Sequence, residues 1–260
     1  MSDRSFGEQG ARLSYGSYLH LPELLSQQVL LSDPPAHDEL LFITVHQVCE
    51  LWFAQVLHEL SYSRDQLLAG SVYEPRRALQ RVHAIALVLV EQVAVLETMT
   101  PQDFLAFRAL LAPASGFQSV QFREIEFLSG ARDAAYVDRL RQASPEERAR
   151  LEQRLAEPSL WDGFLHLLAG RGFAVGTVEQ RRASLLEVAR ERRHAELWEL
   201  AEALLTHDAL ASQWRARHVD MVERQIGTKP GTGGSSGGEY LRSRLPLRYF
   251  PELWELRSYL

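Results

Sequence analysis

From Phe42 onward, apolar side chains return at threes and fours. Phe42, Val45, Cys49, Phe53, Val56 and Leu60 fall on one face of a helix that begins near His37. A second pattern of the same period runs from about Pro75 to Leu96, and a third from about Glu179 to Leu205. Start signals agree. In Thr100-Pro101-Gln102-Asp103 a capping hydroxyl precedes a proline at the first helical position, with an acid in the first turn. Ser144-Pro145-Glu146-Glu147 has the same form and a Glu at the capping-box position. No stretch alternates apolar and polar residues well enough for a sheet. The pattern predicts an all-α fold, a helical bundle in a single domain spanning residues 1–260, with 1–12 as a flexible N-terminal tail.

One segment breaks the helical pattern by composition. Residues 227–238 read Gly-Thr-Lys-Pro-Gly-Thr-Gly-Gly-Ser-Ser-Gly-Gly, the signature of a flexible linker or loop. Only 22 residues follow it, too few for a domain, yet they include Tyr240, Leu241, Tyr249, Phe250, Leu253 and Trp254. Those side chains must dock back on the main body. The glycine-rich segment therefore crosses the body and can cover a pocket.

Composition narrows the function classes. The net charge of −6 provides no basic field to hold a phosphate backbone, so nucleic acid is not an expected partner. A lone cysteine, Cys49, cannot form an intramolecular disulfide, and no apolar leader follows Met1. The longest unbroken apolar run, Ala84 to Val90, is short of the roughly 20 residues that span a bilayer. The expectation is a cytoplasmic protein with no membrane partner. Neither a Cys-x-x-Cys pair, a P-loop nor a Gly-x-Ser-x-Gly elbow occurs. Glu191-Arg192-Arg193-His194 fits the Glu-x-x-His spacing of di-iron bundles, but without a second copy it reads as a solvated charged face.

Two histidines interrupt apolar stripes. His46 stands between Phe42 and Cys49, and His218 shares a face with Trp214, Met221 and Gln225. Each is either a core histidine satisfied by its surroundings (Glu50 in the case of His46) or a ligand facing a pocket. Arg108 follows Phe104 by one turn, ahead of Pro113-Ala114-Ser115-Gly116-Phe117-Gln118-Ser119, where hydroxyl and backbone donors are exposed. An arginine beside aromatics suits a carboxylate next to an apolar pocket, as an aromatic amino acid would present. An ion pair with Asp103 or a nearby Glu is the equal alternative.

Read together, these segments resemble the tryptophan 2,3-dioxygenase family. The matching stretches are Tyr15-Gly16-Ser17-Tyr18-Leu19, His37 through Gln47, Glu50-Leu51-Trp52-Phe53, Leu96 through Pro101, Phe107-Arg108 and Pro113 through Ser119. Near the end come Arg217-His218, Met221-Val222, Arg224, Ile226-Gly227, Gly231 through Gly237, and Phe250-Pro251-Glu252-Leu253. The motifs keep family order and spacing over about residues 15–130 and 205–258, whereas about 130–191 is short and matches poorly.

The resemblance implies an all-helical homotetramer that uses haem b and inserts O2 across the indole C2–C3 bond of L-tryptophan, or a close indole amino acid, to give N-formylkynurenine. It makes His218 the axial ligand of the haem iron and His46 the distal histidine facing the indole N–H. Arg108 becomes the carboxylate clamp, and Thr232 helps hold the amino-acid end. Ser115 and Gly116 border haem and substrate, while Phe42 and Phe104 wall the indole. Tyr15, Tyr18 and Leu19 match a segment that reaches a neighbouring subunit's site. Position 104 is Phe where some members carry Tyr, and Val93 stands where some bacterial members have Trp. Fold and histidines suit equally a substituted tryptophan or single-oxygen insertion to an oxindole. A haem-binding sensor would share them too, but would not need the clamp at Arg108 and Thr232.

Overall fold

The computed structural model describes residues 13–140 and 143–260, so the expected tail, residues 1–12, lies outside the described residues. Every regular element among the described residues is helical. Two short helices, α1 (Tyr15–Tyr18) and α2 (Leu21–Leu24), precede the long α3 (His37–Leu68), α4 (Tyr73–Leu96) and the short α5 (Pro101–Arg108). Then come α6 (Val120–Ser129), α7 (Ala135–Arg139), α8 (Pro145–Ala156), α9 (Leu160–Gly170) and α10 (Val178–Arg190). The chain closes with α11 (Ala195–Ile226), α12 (Gly238–Ser243) and α13 (Pro251–Leu256).

The caps form where the sequence places them. Thr100 accepts from the Asp103 N–H at the start of α5, and Ser144 with Glu147 makes a reciprocal capping box on α8. One expectation needs correction. The pattern from Glu179 to Leu205 is two helices, separated at Glu191–His194, and the second continues to Ile226. Leu185 and Val188 set a phase whose next inward positions are Arg192, Ala195 and Glu199. The buried residues are instead Leu197, Leu200, Ala201 and Leu204, so the apolar face slips and the helix must break.

Three long helices form the main core. Phe53, Val56, Leu57 and Leu60 of α3 meet Leu79, Val82, Ile85 and Leu89 of α4, and the inward face of α11 completes the cluster. Each fully buried leucine contributes about 1.5–3 kcal/mol, which outweighs any single surface contact. Helix α9 approaches α3 through Gly163, where a Cβ would stand 3.1 Å from the Leu67 Cβ. Helices α3 and α4 are each long and apolar enough to cross a bilayer by length and composition, with a mean hydropathy of 1.5. In this fold both serve as core helices that also keep apolar faces exposed, Leu51 on α3 and Leu87, Val88 and Val95 on α4 among them.

The C-terminal residues dock back as their composition requires. Tyr249, Phe250 and Leu253 are buried. One oxygen of the buried Asp208 carboxylate on α11 accepts from the Tyr249 N–H (2.8 Å), the Phe250 N–H (3.1 Å) and the Trp254 indole N–H (2.9 Å). This anchor fixes the far end of the glycine-rich segment and so keeps residues 227–238 over the body.

Candidate active site

Helices α3, α4, α5 and α11 and the glycine-rich loop enclose a cavity of about 280 Å³. Its lining is mainly apolar, with Phe42, Val93, Leu96, Phe104, Met221 and Val222 among the walls. Phe42 and Phe104 stack at 5.5 Å between ring centroids, 25° apart, and Phe107 meets both edge-on. Helical spacing explains the cluster: Phe104 and Phe107 share a face of α5 that points at the first turns of α3.

His46 lines this cavity from α3, four residues after Phe42, and their rings lie 4.1 Å apart. Its Nδ1 donates to the Phe42 carbonyl oxygen at 2.7 Å. Desolvation lowers its pKa below the ordinary 6.5, against the opposing pull of that carbonyl and of Glu50. The residue is solvent-accessible, yet the packing of neighbours around the ring lets desolvation outweigh both. A neutral ring with hydrogen on Nδ1 leaves Nε2 as an acceptor.

His218 lines the cavity from α11. Its ring stacks on Trp214 at 5.0 Å and 7°, which fixes its plane. Burial, assisted by nearby His46, pushes its pKa down to about 4. Among the described residues neither ring nitrogen has a hydrogen-bond partner in the protein. A half-buried imidazole whose pKa is pushed down and which spends no nitrogen on the protein has a lone pair free for a metal. The reading of His218 as a satisfied core histidine fails here.

Arg108 also faces the cavity, and its guanidinium pairs with no carboxylate among the described residues. It donates instead to the Pro230 carbonyl of the glycine-rich loop. Asp103, the ion-pair alternative, bonds the Thr100 hydroxyl. Thr232 donates its hydroxyl to the Ala114 carbonyl at 2.6 Å, which draws the loop onto residues 113–115. Gly233 permits that approach, because a Cβ there would stand 2.6 Å from the Ser115 Cβ. Ser115 and Gly116 line the cavity beside Thr232.

Tyr15, Tyr18 and Leu19 are not brought to this cavity. They lie on α1 and its C-terminal cap, all solvent-exposed. The Glu191–His194 segment is also remote. Glu187, Glu191 and His194 cluster at the surface, and Arg193 pairs with both glutamates, as expected of a solvated charged face.

Sequence reasoning passed over several polar lining residues. Arg123 is buried on α6, pairs with Glu126 and lies 4.2 Å over the Tyr136 ring. With Arg108, Arg215 and Arg244 it makes four arginines in the lining against two glutamates, Glu50 and Glu126. The signal was an Arg and a Glu three apart inside the otherwise apolar stripe of α6. Gln92 on α4 donates to the Val45 carbonyl and to the Cys49 sulfur, each at 3.1 Å. Burial raises the Cys49 thiol to about 11, which leaves it an inert wall residue.

Comparison with known proteins fits this geometry. The family model described as tryptophan 2,3-dioxygenase matches residues 3–167 and 177–260. It spans most of the stretch from 130 to 191 that matches poorly by motif and leaves out 168–176. A tryptophan 2,3-dioxygenase of Nocardioides sp. is 62% identical over 265 residues, covering 99% of each chain. Those of Herpetosiphon aurantiacus and Anaeromyxobacter sp. are 45% and 47% identical over 95% of this chain and 98% and 96% of their own. With a match this long and relatives this close over their whole length, the chain belongs to the tryptophan 2,3-dioxygenase family.

Proposed function

We infer that the protein is a haem-dependent dioxygenase that opens the indole ring of L-tryptophan to N-formylkynurenine, with the whole chain acting as one catalytic domain. The observation that carries this reading is the pair of neutral imidazoles on α3 and α11 facing one apolar cavity, with the unpaired Arg108 beside them. Haem b fits the donor set. His218 would hold the iron, and Arg123, Arg215 and Arg244, three lining cations besides Arg108 against Glu50 and Glu126, suit a group that carries two carboxylates. When bound, the haem supplies the activation of O2, which no side chain here provides.

The chain's own residues supply orientation. Arg108 has five donors and spends one on Pro230, so its fork can still take a carboxylate. Thr232 gives its hydrogen to Ala114, which leaves lone pairs for the substrate ammonium. Nε2 of His46 accepts the indole N–H and so enriches the ring that is to be oxidised. Phe42 and Phe104 wall the indole, and the loop at 230–233 excludes water.

Exposed apolar side chains on α3, α4 and the N-terminal arm offer surface for further copies of the chain, and we take the assembly to be the cytoplasmic homotetramer that the family resemblance implies. On this reading Tyr15, Tyr18 and Leu19 serve a neighbour's site. Turnover under labelled dioxygen tests the reaction. Two labelled atoms in N-formylkynurenine are expected; one labelled atom with dependence on added reductant would replace it with oxindole formation.

A further inference from the structure

Between α2 and α3 the chain runs as an extended arm that hides little apolar surface. Leu25, Val29 and Leu31 are each at least 62% exposed. Of its apolar side chains only Leu30 is largely covered, so hydrophobic burial holds the arm weakly, and two polar side chains of α3 fix it in place.

Glu39 is 1% exposed, at the third helical position of α3. Its carboxylate accepts from the Leu31 N–H at 2.7 Å, the Ser32 N–H at 3.0 Å and the Ser32 hydroxyl at 2.5 Å. The Ser32 oxygen in turn accepts from the Ala36 N–H at 2.7 Å. Ala36 is the N-cap and has no side-chain oxygen, so the cap is assembled from the arm itself. Eight residues on, about 12 Å along the helix, Gln47 makes the second clamp. Its Nε2 donates to the Gln27 carbonyl at 3.0 Å, and its Oε1 accepts from the Gln28 amide at 2.6 Å. Phe42 lies between the clamps, and His46 is the neighbour of Gln47.

We propose that Glu39 and Gln47 are positioning residues that lock the arm, residues 24–32, to the turns of α3 carrying Phe42 and His46. An arm that serves a neighbouring copy is then rigidly coupled to the distal wall of its own site. The coupling to catalysis rests on the function proposed above, whereas the clamp itself does not.

The test uses the full-length, haem-loaded protein and the variants Glu39→Ala, Gln47→Ala and Ser32→Ala. Hydrogen exchange of residues 24–32 reads the clamp without substrate. Exchange at least tenfold faster is expected in each variant, with an unchanged Soret band. The apparent KM for L-tryptophan should rise fivefold or more while kcat stays within twofold. A residue that merely caps α3 would lower stability without this split, and Gln47→Ala, which touches no cap, separates the two roles. Should Glu39→Ala fail to fold, the other two variants decide. Unchanged exchange overturns the clamp whatever the kinetics; faster exchange with an unchanged KM overturns its part in the reaction. Absence of tryptophan turnover in the parent would count against the proposed function and leave the exchange result standing.

Discussion

The Nδ1 of His46 lies 2.7 Å from the carbonyl oxygen of Phe42, one turn earlier on α3. A carbonyl only accepts, so the hydrogen sits on Nδ1, and desolvation by the surrounding side chains lowers the pKa of the ring and favours its neutral form. The same turn that stacks Phe42 against Phe104 thus sets the tautomer of the histidine beside it. Nε2 is left as the acceptor toward the cavity.

That tautomer makes the indole N–H a determinant of rate. Replacing His46 by Ala should lower kcat/KM for L-tryptophan by roughly 3–10-fold, the value of one ordinary hydrogen bond. Substrate methylated at the indole nitrogen should be poor for the parent, and the variant should treat the two substrates alike. Steady-state kinetics with both compounds checks this. Because the His46 pKa is lowered, activity that needs the neutral ring should persist below pH 6.5 and fall only in more acidic solution.

At the other end of the substrate, Arg108→Leu should raise the apparent KM strongly. Removing one partner of a buried charge pair costs about 2–5 kcal/mol. Tryptamine, which lacks the carboxylate, should be a poor substrate for the parent. Equal turnover of tryptophan and tryptamine would remove the clamp.

Gly233→Ala tests loop closure. The added Cβ would stand 2.6 Å from the Ser115 Cβ, and neither atom is the end of a flexible side chain. The loop must lift, breaking the contact of Thr232 with Ala114. We expect KM to rise several-fold with the melting temperature nearly unchanged. A parent-like KM would show that closure over Ser115 is dispensable.

Away from the site, His207 should set part of the acid sensitivity. It is buried, with Nε2 2.9 Å from the Ser129 hydroxyl, and desolvation, with nearby His83 and Arg215, pushes its pKa down to about 3. Below pH 6.5 the unfolded chain takes up a proton that the folded protein refuses. Stability is therefore full above pH 6.5 and drains as the pH falls toward 3, by up to about 1.4 kcal/mol per pH unit. For a chain of this size that is about 2–4 °C in Tm per unit. His207→Gln should flatten Tm against pH between 6.5 and 4; an unchanged slope would place the effect elsewhere.

The long helices α3 and α4 and the starts of α5 and α8 are legible in the sequence, because apolar spacing and caps are local properties. Val45, Phe53 and Leu60 return at helical intervals whatever surrounds them, and Thr100-Pro101 announces a start without tertiary help. The sequence also singled out His46, His218, Arg108 and Thr232, as breaks in an apolar stripe or as parts of family motifs. What it left open were the partners. Arg108 could have met Asp103 or a nearby Glu, but the fold turns it to Pro230, 122 positions away. His218 could have been a satisfied core residue, but in the fold its ring stacks on Trp214 and neither nitrogen meets a hydrogen-bond partner among the described residues. The break at Glu191–His194 was hidden for the same reason: both helices are amphipathic, and only the core they face shows that their faces are out of phase. Whether a polar side chain is satisfied depends on contacts between distant segments, and those exist only once the chain has packed.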